Sequence, residues 1–244
     1  MEIQPMAWET LEPGMRTGDL ILFAGTSTES EWIEAFTLGE FSHATMIYRP
    51  DPGEAPLLWQ EAPEGIVTDP WVSPPAVHPG AQLGDALAAT QLITYTYKDA
   101  PFYVALDWER PDTLNDLMAE VLTTYEGRPF GSILDMVLHY LMGHFLNQSS
   151  GEAALYCAQL VAVTYMKIGL LSDEHPANYY SPNSFDPTSE TLPWAEGVSA
   201  SLAVPTPIIV PTPKVAIAAA GAERAARWPA GPLAPEALSP PPRP

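Results

Sequence analysis

The chain has 244 residues with 30 acidic and 10 basic side chains, which gives a formal net charge of −20. Such an acidic surface repels phosphate backbones and anionic lipid headgroups, so nucleic acid is excluded as an expected partner. A single cysteine excludes a disulfide framework within the chain, and the scattered histidines lack the spacing of a structural zinc site.

The first residues, 1–5, lack the basic start and apolar run of a signal peptide. No apolar stretch has the length that a transmembrane segment needs. The sequence therefore predicts a soluble protein that is cytoplasmic by default, and it leaves later export by another route open.

The first half of the chain predicts strands. Short apolar or β-branched runs, bounded by glycine, proline or polar residues, are typical of strands. They cover residues 18–23, 42–48, 57–62 and 91–97. Between them, residues 26–36 are polar and predict a loop with a helical turn, and residues 63–84 are rich in proline and glycine and predict a long loop.

Helices are predicted in the second half. Apolar side chains at helical spacing predict a helix over residues 114–125, which Thr113 caps and Gly127 ends. Two further apolar helices are predicted over residues 132–146 and 154–168. Strands followed by helices predict an α+β fold in which a small sheet is packed on the helices.

Composition divides the chain near residue 200 into a body, residues 1–199, and a tail, residues 200–244. The tail holds eleven of the 28 prolines and carries four basic side chains against two acidic ones. Proline at this density favours extended backbone. The tail is interpreted either as a solvated linker or as a segment that binds the acidic body or a protein partner. Residues 215–227 have the composition of one short helix.

Cys157 is the most informative residue of the body. It lies at the start of a predicted apolar helix, where the helix end lowers the pKa of a thiol and activates it as a nucleophile. The alternative is an inert thiol, because a single cysteine among leucine, valine and alanine is most often a buried core residue.

His43 lies on a predicted strand, on the same face as Thr45 and Ile47. It is either the general base that takes the thiol proton or a core histidine bonded to a backbone carbonyl. A base needs a partner that fixes its tautomer, and Glu61, which ends a strand beside that of His43, is the best candidate. Glu61 is otherwise an edge residue facing water. Gln60 points to the opposite face and is the weaker choice.

An acyl-transfer site also needs donors for the oxyanion that develops in the transition state. The backbone N–H of Cys157 is suitable, because the first amides of a helix lack intrahelical partners. The hydroxyl of Tyr156 is a second candidate donor, and core packing is its alternative role.

Four segments resemble, in this order, the permuted papain-like amidases, the YiiX/YaeF-like branch of the NlpC-type superfamily. They are Gly18-Asp19-Leu20-Ile21-Leu22-Phe23, Phe41-Ser42-His43-Ala44-Thr45, Gln60-Glu61-Ala62 with Gly65-Ile66-Val67, and Tyr156-Cys157-Ala158-Gln159-Leu160-Val161. Residues 127–131 are similar to the short segment that precedes the cysteine helix in that family, and residues 180–185 to its late segment. The resemblance covers roughly residues 14–190.

This resemblance implies a circularly permuted papain-like fold, with a small antiparallel sheet against the cysteine helix. It implies that the nucleophile is Cys157, the base His43 and the third polar residue Glu61. The activities of that family involve amide or ester bonds, including those of cell-wall peptides and lipid acyl groups. The resemblance implies no metal or organic cofactor. Gln159 stands where the family usually has glutamate, which changes the charge of the pocket but not the nucleophile.

Three functions fit these residues. The first is a thiol amidase or peptidase acting on a peptide or lipid-amide substrate. The second is a lipid acyltransferase that uses the same cysteine and passes the acyl group to an acceptor other than water. The third is a non-catalytic binding or assembly module with the tail as a tether. A depressed thiol pKa favours the enzymes, and an unreactive thiol at neutral pH favours the module.

Overall fold

The structure of the protein, a computed structural model, describes residues 3–25, 39–131 and 133–213. Within these ranges it is a mixed α/β protein with a seven-stranded sheet, a two-stranded ribbon and helices. The predicted loop at residues 26–36 and the predicted tail helix at residues 215–227 lie outside the described residues.

Seven of the described strands form one sheet. The strands are β1 (Met6–Ala7), β2 (Leu20–Ala24), β3 (His43–Tyr48), β4 (Leu57–Ala62), β5 (Gly80–Asp85), β6 (Ala100–Val104), β7 (Leu106–Trp108), β8 (Ala200–Leu202) and β9 (Thr206–Ile209). Their order in the sheet is β1-β9-β6-β2-β3-β4-β5, and β7 pairs with β8 in the ribbon. Neighbouring strands are antiparallel except for β1 and β9, which are parallel.

The described α-helices lie mostly in the second half of the chain. They are α1 (Trp8–Leu11), α2 (Ala86–Leu92), α3 (Leu114–Tyr125), α4 (Ile133–Leu146) and α5 (Cys157–Lys167). The three predicted helices are therefore confirmed as α3, α4 and α5, with ends that differ by up to three residues. In the described ranges, none of these helices combines the length and the apolar character that crossing a bilayer requires.

The sheet separates two hydrophobic cores, because alternate side chains of a strand point to opposite faces. On one face, Ala44 and Trp59 pack with α3 and α5. The indole Nε1 of Trp59 also donates to Oγ1 of Thr164 on α5, at 3.1 Å. On the other face, Ile47 and Leu58 pack with α1 and α2. The cysteine helix is therefore fixed on one face of the sheet.

The turn before β2 is held by Asp19, which is 1% exposed. Its carboxylate accepts from the Arg110 guanidinium at 2.9 Å, from the Tyr103 hydroxyl at 2.6 Å and from the Leu106 amide at 3.0 Å. Gly18 precedes it with φ +94°, a conformation that side chains other than glycine rarely adopt. This Gly-Asp pair therefore has a structural role that anchors β2.

The prediction of a strand over residues 91–97 is wrong. This segment continues α2 and then forms a π-helical turn over Ile93–Tyr97. The helix starts because the side chain of Asp85 caps it, accepting from the amide of Ala88 at 2.8 Å. The β-branched and aromatic residues that favoured a strand are here overridden by an upstream cap and an alanine-rich first turn.

Part of the predicted long loop at residues 63–84 is also a strand, since β5 pairs with β4 along its whole length. Its two glycines and lack of β-branched residues hide it from a propensity-based prediction. At the other end, β8 and β9 lie in the predicted tail and pair with β7, β6 and β1. The predicted boundary after residue 199 thus falls inside the folded body, and residues 200–209 belong to it.

Candidate active site

Cys157 is the first residue of α5, and the extended residue before it starts the helix. The preceding Leu155 is fixed by two backbone hydrogen bonds of 3.2 Å, one to the carbonyl of Pro129 and one from the amide of Gly131. The segment over residues 127–131, which the resemblance singled out, therefore holds the cysteine in position. Cys157 itself is 5% exposed.

The thiol of Cys157 keeps its proton in the resting protein. Burial raises its pKa to about 11, although the backbone N–H groups of Ala44, Ala158 and Cys157 favour the thiolate. The nearby carboxyl of Glu61 raises the pKa further. The predicted lowering of the pKa by the helix end is therefore present as a local effect, but burial outweighs it. By the criterion of thiol pKa, the resting protein resembles the non-catalytic module more than an activated enzyme.

His43 is the first residue of β3 and is partly buried. Its ring lies 5.7 Å from the ring of Phe23, centroid to centroid, and its Nε2 lies 3.5 Å from Oε1 of Gln60. Burial lowers the pKa of His43 to about 4, and the contact with Gln60 opposes the shift only in part. The imidazole is therefore neutral at pH 7.

The structure brings the sulfur of Cys157 to the backbone of β3, but the imidazole of His43 lies on the opposite face of the sheet, beside Phe23. The amide of Ala44, which directly follows His43, lies close enough to the sulfur to favour its thiolate form. Among the described residues, no hydrogen bond connects the sulfur with the imidazole. The ring of His43 is directed instead toward Phe23 and Gln60.

Gln60, and not Glu61, contacts the imidazole. The two residues are adjacent on β4, so their side chains point to opposite faces of the sheet. Glu61 is 0% exposed, and neither of its carboxyl oxygens has a hydrogen-bond partner among the described residues. Burial, followed by the charge of Glu126, raises the pKa of Glu61 to about 9. The observed contacts give Glu61 no part in orienting His43.

The hydroxyl of Tyr156 binds backbone carbonyl groups. It lies 2.8 Å from the carbonyl oxygen of Asn178 and 3.1 Å from that of Tyr180, and it donates its one proton to these acceptors. Tyr156 is 3% exposed. The observed contacts therefore give this side chain a structural role.

Asn183 clamps the segment that leads into His43. Its Oδ1 accepts from the amide of Phe41 at 2.8 Å, and its Nδ2 donates to the carbonyl of the same residue at 3.0 Å. An added Cβ at Gly39 would meet this amide at about 2.2 Å, so only glycine fits there. The late segment over residues 180–185 thus braces the start of β3. The sequence indicated this segment by resemblance, but it did not indicate this contact.

A second cluster of titratable groups lies near Glu61 and was not predicted. Asp69, His78 and Glu126 each present one possible ligand atom, and these atoms lie within 4.8 Å of one another. They come from the loop before β5 and from the end of α3, so no local motif marks them in the sequence.

No family model matches this chain, and no curated protein matches it. Among solved structures, it is similar to the metalloprotein yiiX from Escherichia coli O157:H7, with a TM-score of 0.41 and 14% sequence identity. The aligned region covers 82% of this chain and 99% of the other. At this level of similarity the comparison assigns no chemistry to this chain.

Proposed function

We propose that this protein is a thiol-dependent hydrolase that cleaves amide or ester bonds through an acyl-enzyme on Cys157. The observation that carries the proposal is the position of the sulfur, which lies at the first turn of α5 and beside the backbone of the strand that starts with His43. The strand that starts with His43 precedes the cysteine helix in the chain, and both lie in one domain. This order also supports the permuted papain-like fold as part of this proposal.

In the proposed reaction, His43 acts as a general base on a thiol that is still protonated. If Nε2–H donates to Oε1 of Gln60, the lone pair is on Nδ1. Nδ1 accepts the thiol proton as the sulfur attacks the carbonyl carbon, and the amides of Cys157 and Ala158 stabilise the oxyanion. In the resting structure the imidazole lies on the face of β3 opposite to α5, so this step requires a rearrangement at the start of β3 that brings the ring to the sulfur.

The remaining steps use the same groups. Collapse of the tetrahedral intermediate breaks the bond to the leaving amine or alkoxide, which takes a proton from the imidazolium of His43. Water then loses a proton to the imidazole and attacks the thioester. The carbon–sulfur bond breaks, and the imidazolium returns a proton to the sulfur of Cys157.

Acyl-enzyme formation tests the proposal. Folded protein is mixed with p-nitrophenyl acetate at pH 7, quenched in acid and digested, and the peptides are analysed by mass spectrometry. We expect the acetyl group on Cys157 and no release of nitrophenol above background in Cys157→Ala. The control is the same chain unfolded in guanidinium, which should acylate more slowly. Equal labelling in folded and unfolded protein, or turnover by Cys157→Ala, would contradict the proposal.

A second candidate function is acyl transfer from lipids, and the surface of α4 favours it. Phe145 and Leu146 at its end are 71% and 62% exposed, and Leu138 is 48% exposed. Tyr140, also on α4, affects the pKa of Tyr156, so the helix passes near the cysteine. An exposed apolar helix beside the site suits a long acyl chain.

The dependence of the acylation rate on the length of the acyl chain distinguishes the two functions. For a lipid acyltransferase, acylation of Cys157 should be faster with p-nitrophenyl decanoate than with the acetate, and Phe145→Ser should remove this preference. The matched control is Val77→Ser, since Val77 is an exposed apolar residue outside α4. For a peptidase, the decanoate should give no advantage, and Phe145→Ser should leave the acetate reaction unchanged.

A further inference from the structure

The cluster of Asp69, His78 and Glu126 has the spacing of ligands around one ion. Nε2 of His78 lies 2.9 Å from Oε1 of Glu126 and 3.4 Å from Oδ2 of Asp69. Ligand atoms about 2.0–2.2 Å from a shared ion, at angles of about 90–110°, are themselves about 2.8–3.6 Å apart. Both distances fall in this range.

These short approaches are ion-pair contacts without the alignment of a good hydrogen bond. Among the described residues, Nε2 of His78 and both carboxylate oxygens of Glu126 are buried without an aligned hydrogen-bond partner, although His78 and Glu126 are only 2.9 Å apart. Nδ1 of His78 lies 3.0 Å from the carbonyl oxygen of Pro79, which can only accept, so Nδ1 carries a proton. Nε2 faces the two carboxylates, and when a cation displaces its proton it presents a lone pair to that cation, as in histidines that bind metals.

The ligand set is held by the backbone around it. Oδ1 of Asp69 accepts from the amide of Trp71 at 2.7 Å, and its Oδ2 accepts from the amide of Leu83 at 2.5 Å. Asp69 is 0% exposed. Hydrogen bonds of this kind fix the orientation of a ligating carboxylate before an ion binds.

Glu61 supplies an independent observation. This carboxyl is 0% exposed, and both of its oxygens lack a hydrogen-bond partner among the described residues. Glu126 raises its pKa and His78 lowers it, so Glu61 lies close enough to interact with both groups of the cluster. A buried carboxyl without partners is costly, and a cation at this point would compensate its charge.

We propose that Asp69, His78 and Glu126 bind one divalent first-row transition-metal ion, with Glu61 beside it. An imidazole nitrogen favours zinc and its neighbours in this series, and carboxylates complete a mixed nitrogen and oxygen set. The ion would join the proline-rich loop before β5 to the end of α3. The site is separate from the proposed reaction, in which none of the three ligands takes part.

Titration with Zn²⁺ tests this site. Full-length protein is stripped with a chelator, and Zn²⁺ affinity is measured by competition with a chromophoric chelator at pH 7. We expect one ion per chain and at least about a 100-fold loss of affinity in His78→Gln. His175→Gln is the matched control, since His175 is partly exposed and contacts Asn147 and Tyr179 instead of the cluster, and it should bind as the wild type does. Glu126→Gln is a second ligand variant that should also weaken binding. Circular dichroism of each variant shows whether it is folded.

X-ray absorption at the zinc edge identifies the ligands. The site predicts nitrogen and oxygen neighbours without sulfur, and Cys157→Ala should bind zinc as tightly as the wild type. Three results would overturn the proposal: absence of saturable binding near one equivalent, unchanged affinity in folded His78→Gln and Glu126→Gln, or a sulfur ligand. None of these results bears on acylation of Cys157, so the two proposals can fail separately.

Discussion

His43 and His78 lie beside the same sheet, and their surroundings give them opposite character. His43 is buried against an aromatic ring and a neutral amide, and burial lowers its pKa to about 4. His78 approaches two carboxylates, and its interactions with Asp69 and then Glu126 raise its pKa to about 10 against the effect of burial. The comparison shows that the charge of the partner, more than burial, sets what an imidazole can do.

The two environments suit different chemistry. A neutral imidazole can accept the proton of a thiol, which is the role proposed for His43. An imidazole between carboxylates holds a positive charge, either its own proton or a metal ion, which is the role proposed for His78. The following predictions test this contrast, from the largest expected effect to the smallest.

Replacing each histidine by glutamine should separate the two roles. His43→Gln should slow acylation of Cys157 at pH 7 by roughly 10²–10⁴-fold, because the general base is lost. Its zinc affinity should stay that of the wild type. Stopped-flow release of nitrophenol measures the first quantity, and chelator competition the second. Acylation of Cys157 in His43→Gln at the rate of the His175→Gln control would contradict the role of His43 as general base.

Gln60→Glu should make the surroundings of His43 resemble those of His78. A carboxylate in contact with the ring favours its charged form, so the pKa of His43 should rise from about 4 to above 6.5. Titration of the imidazole resonances by NMR measures this shift. Gln91→Glu is the matched control, because Gln91 binds the carbonyl of Pro211 away from His43.

The same variant has a signed effect on stability. In the wild type the folded pKa of His43 lies below the unfolded value of 6.5, so the unfolded chain takes up the proton first as pH falls. Stability present above pH 6.5 is then lost between pH 6.5 and 4, by roughly 3 kcal/mol. Urea unfolding should show this loss from pH 7 to 4 in the wild type and a smaller loss in Gln60→Glu. Equal losses would contradict the assignment.

Asn183→Ala tests the clamp on the segment that leads into His43. Both bonds to the backbone of Phe41 disappear, and buried backbone groups are left without partners. We expect a loss of about 2–3 kcal/mol in the free energy of unfolding and slower acylation. Asn115→Ala is the control, since Asn115 makes one exposed bond to the carbonyl of Pro50 and should cost less.

The smallest effect is expected for Tyr156→Phe. Loss of the bond to the carbonyls of Asn178 and Tyr180 should cost about 1 kcal/mol of stability. The acylation rate should change less than about tenfold, whereas removal of a true oxyanion donor costs roughly 10²–10³-fold. Tyr95→Phe is the matched control, because its hydroxyl also donates to a backbone carbonyl, that of Val210.

Sequence patterns predicted the elements whose own residues determine them. Three apolar runs became β2, β3 and β4, and three periodic segments became α3, α4 and α5. β5 and β9 depend on pairing with distant strands, which a local pattern does not contain. The helix at Ala86–Leu92 depends on a cap by Asp85 that competes with strand-favouring residues downstream.

The site shows the same division. The positions of Cys157 at a helix start and His43 on a strand follow from local pattern. Which of two adjacent side chains meets the imidazole depends on the face of β4, and the structure gives Gln60 this contact while Glu61 faces the other core. The cluster of Asp69, His78 and Glu126 joins residues far apart in the chain, so only the fold reveals it.

The most direct test of the account is the pH dependence of Cys157 acylation in the wild type and in His43→Gln. With a neutral base and a protonated thiol, the wild-type rate should be level from about pH 5 to 9 and fall as His43 takes up a proton near pH 4. His43→Gln should lack this level region and rise steadily toward the thiol pKa near 11. Superimposable profiles for the two proteins would show that the imidazole does not act on the sulfur.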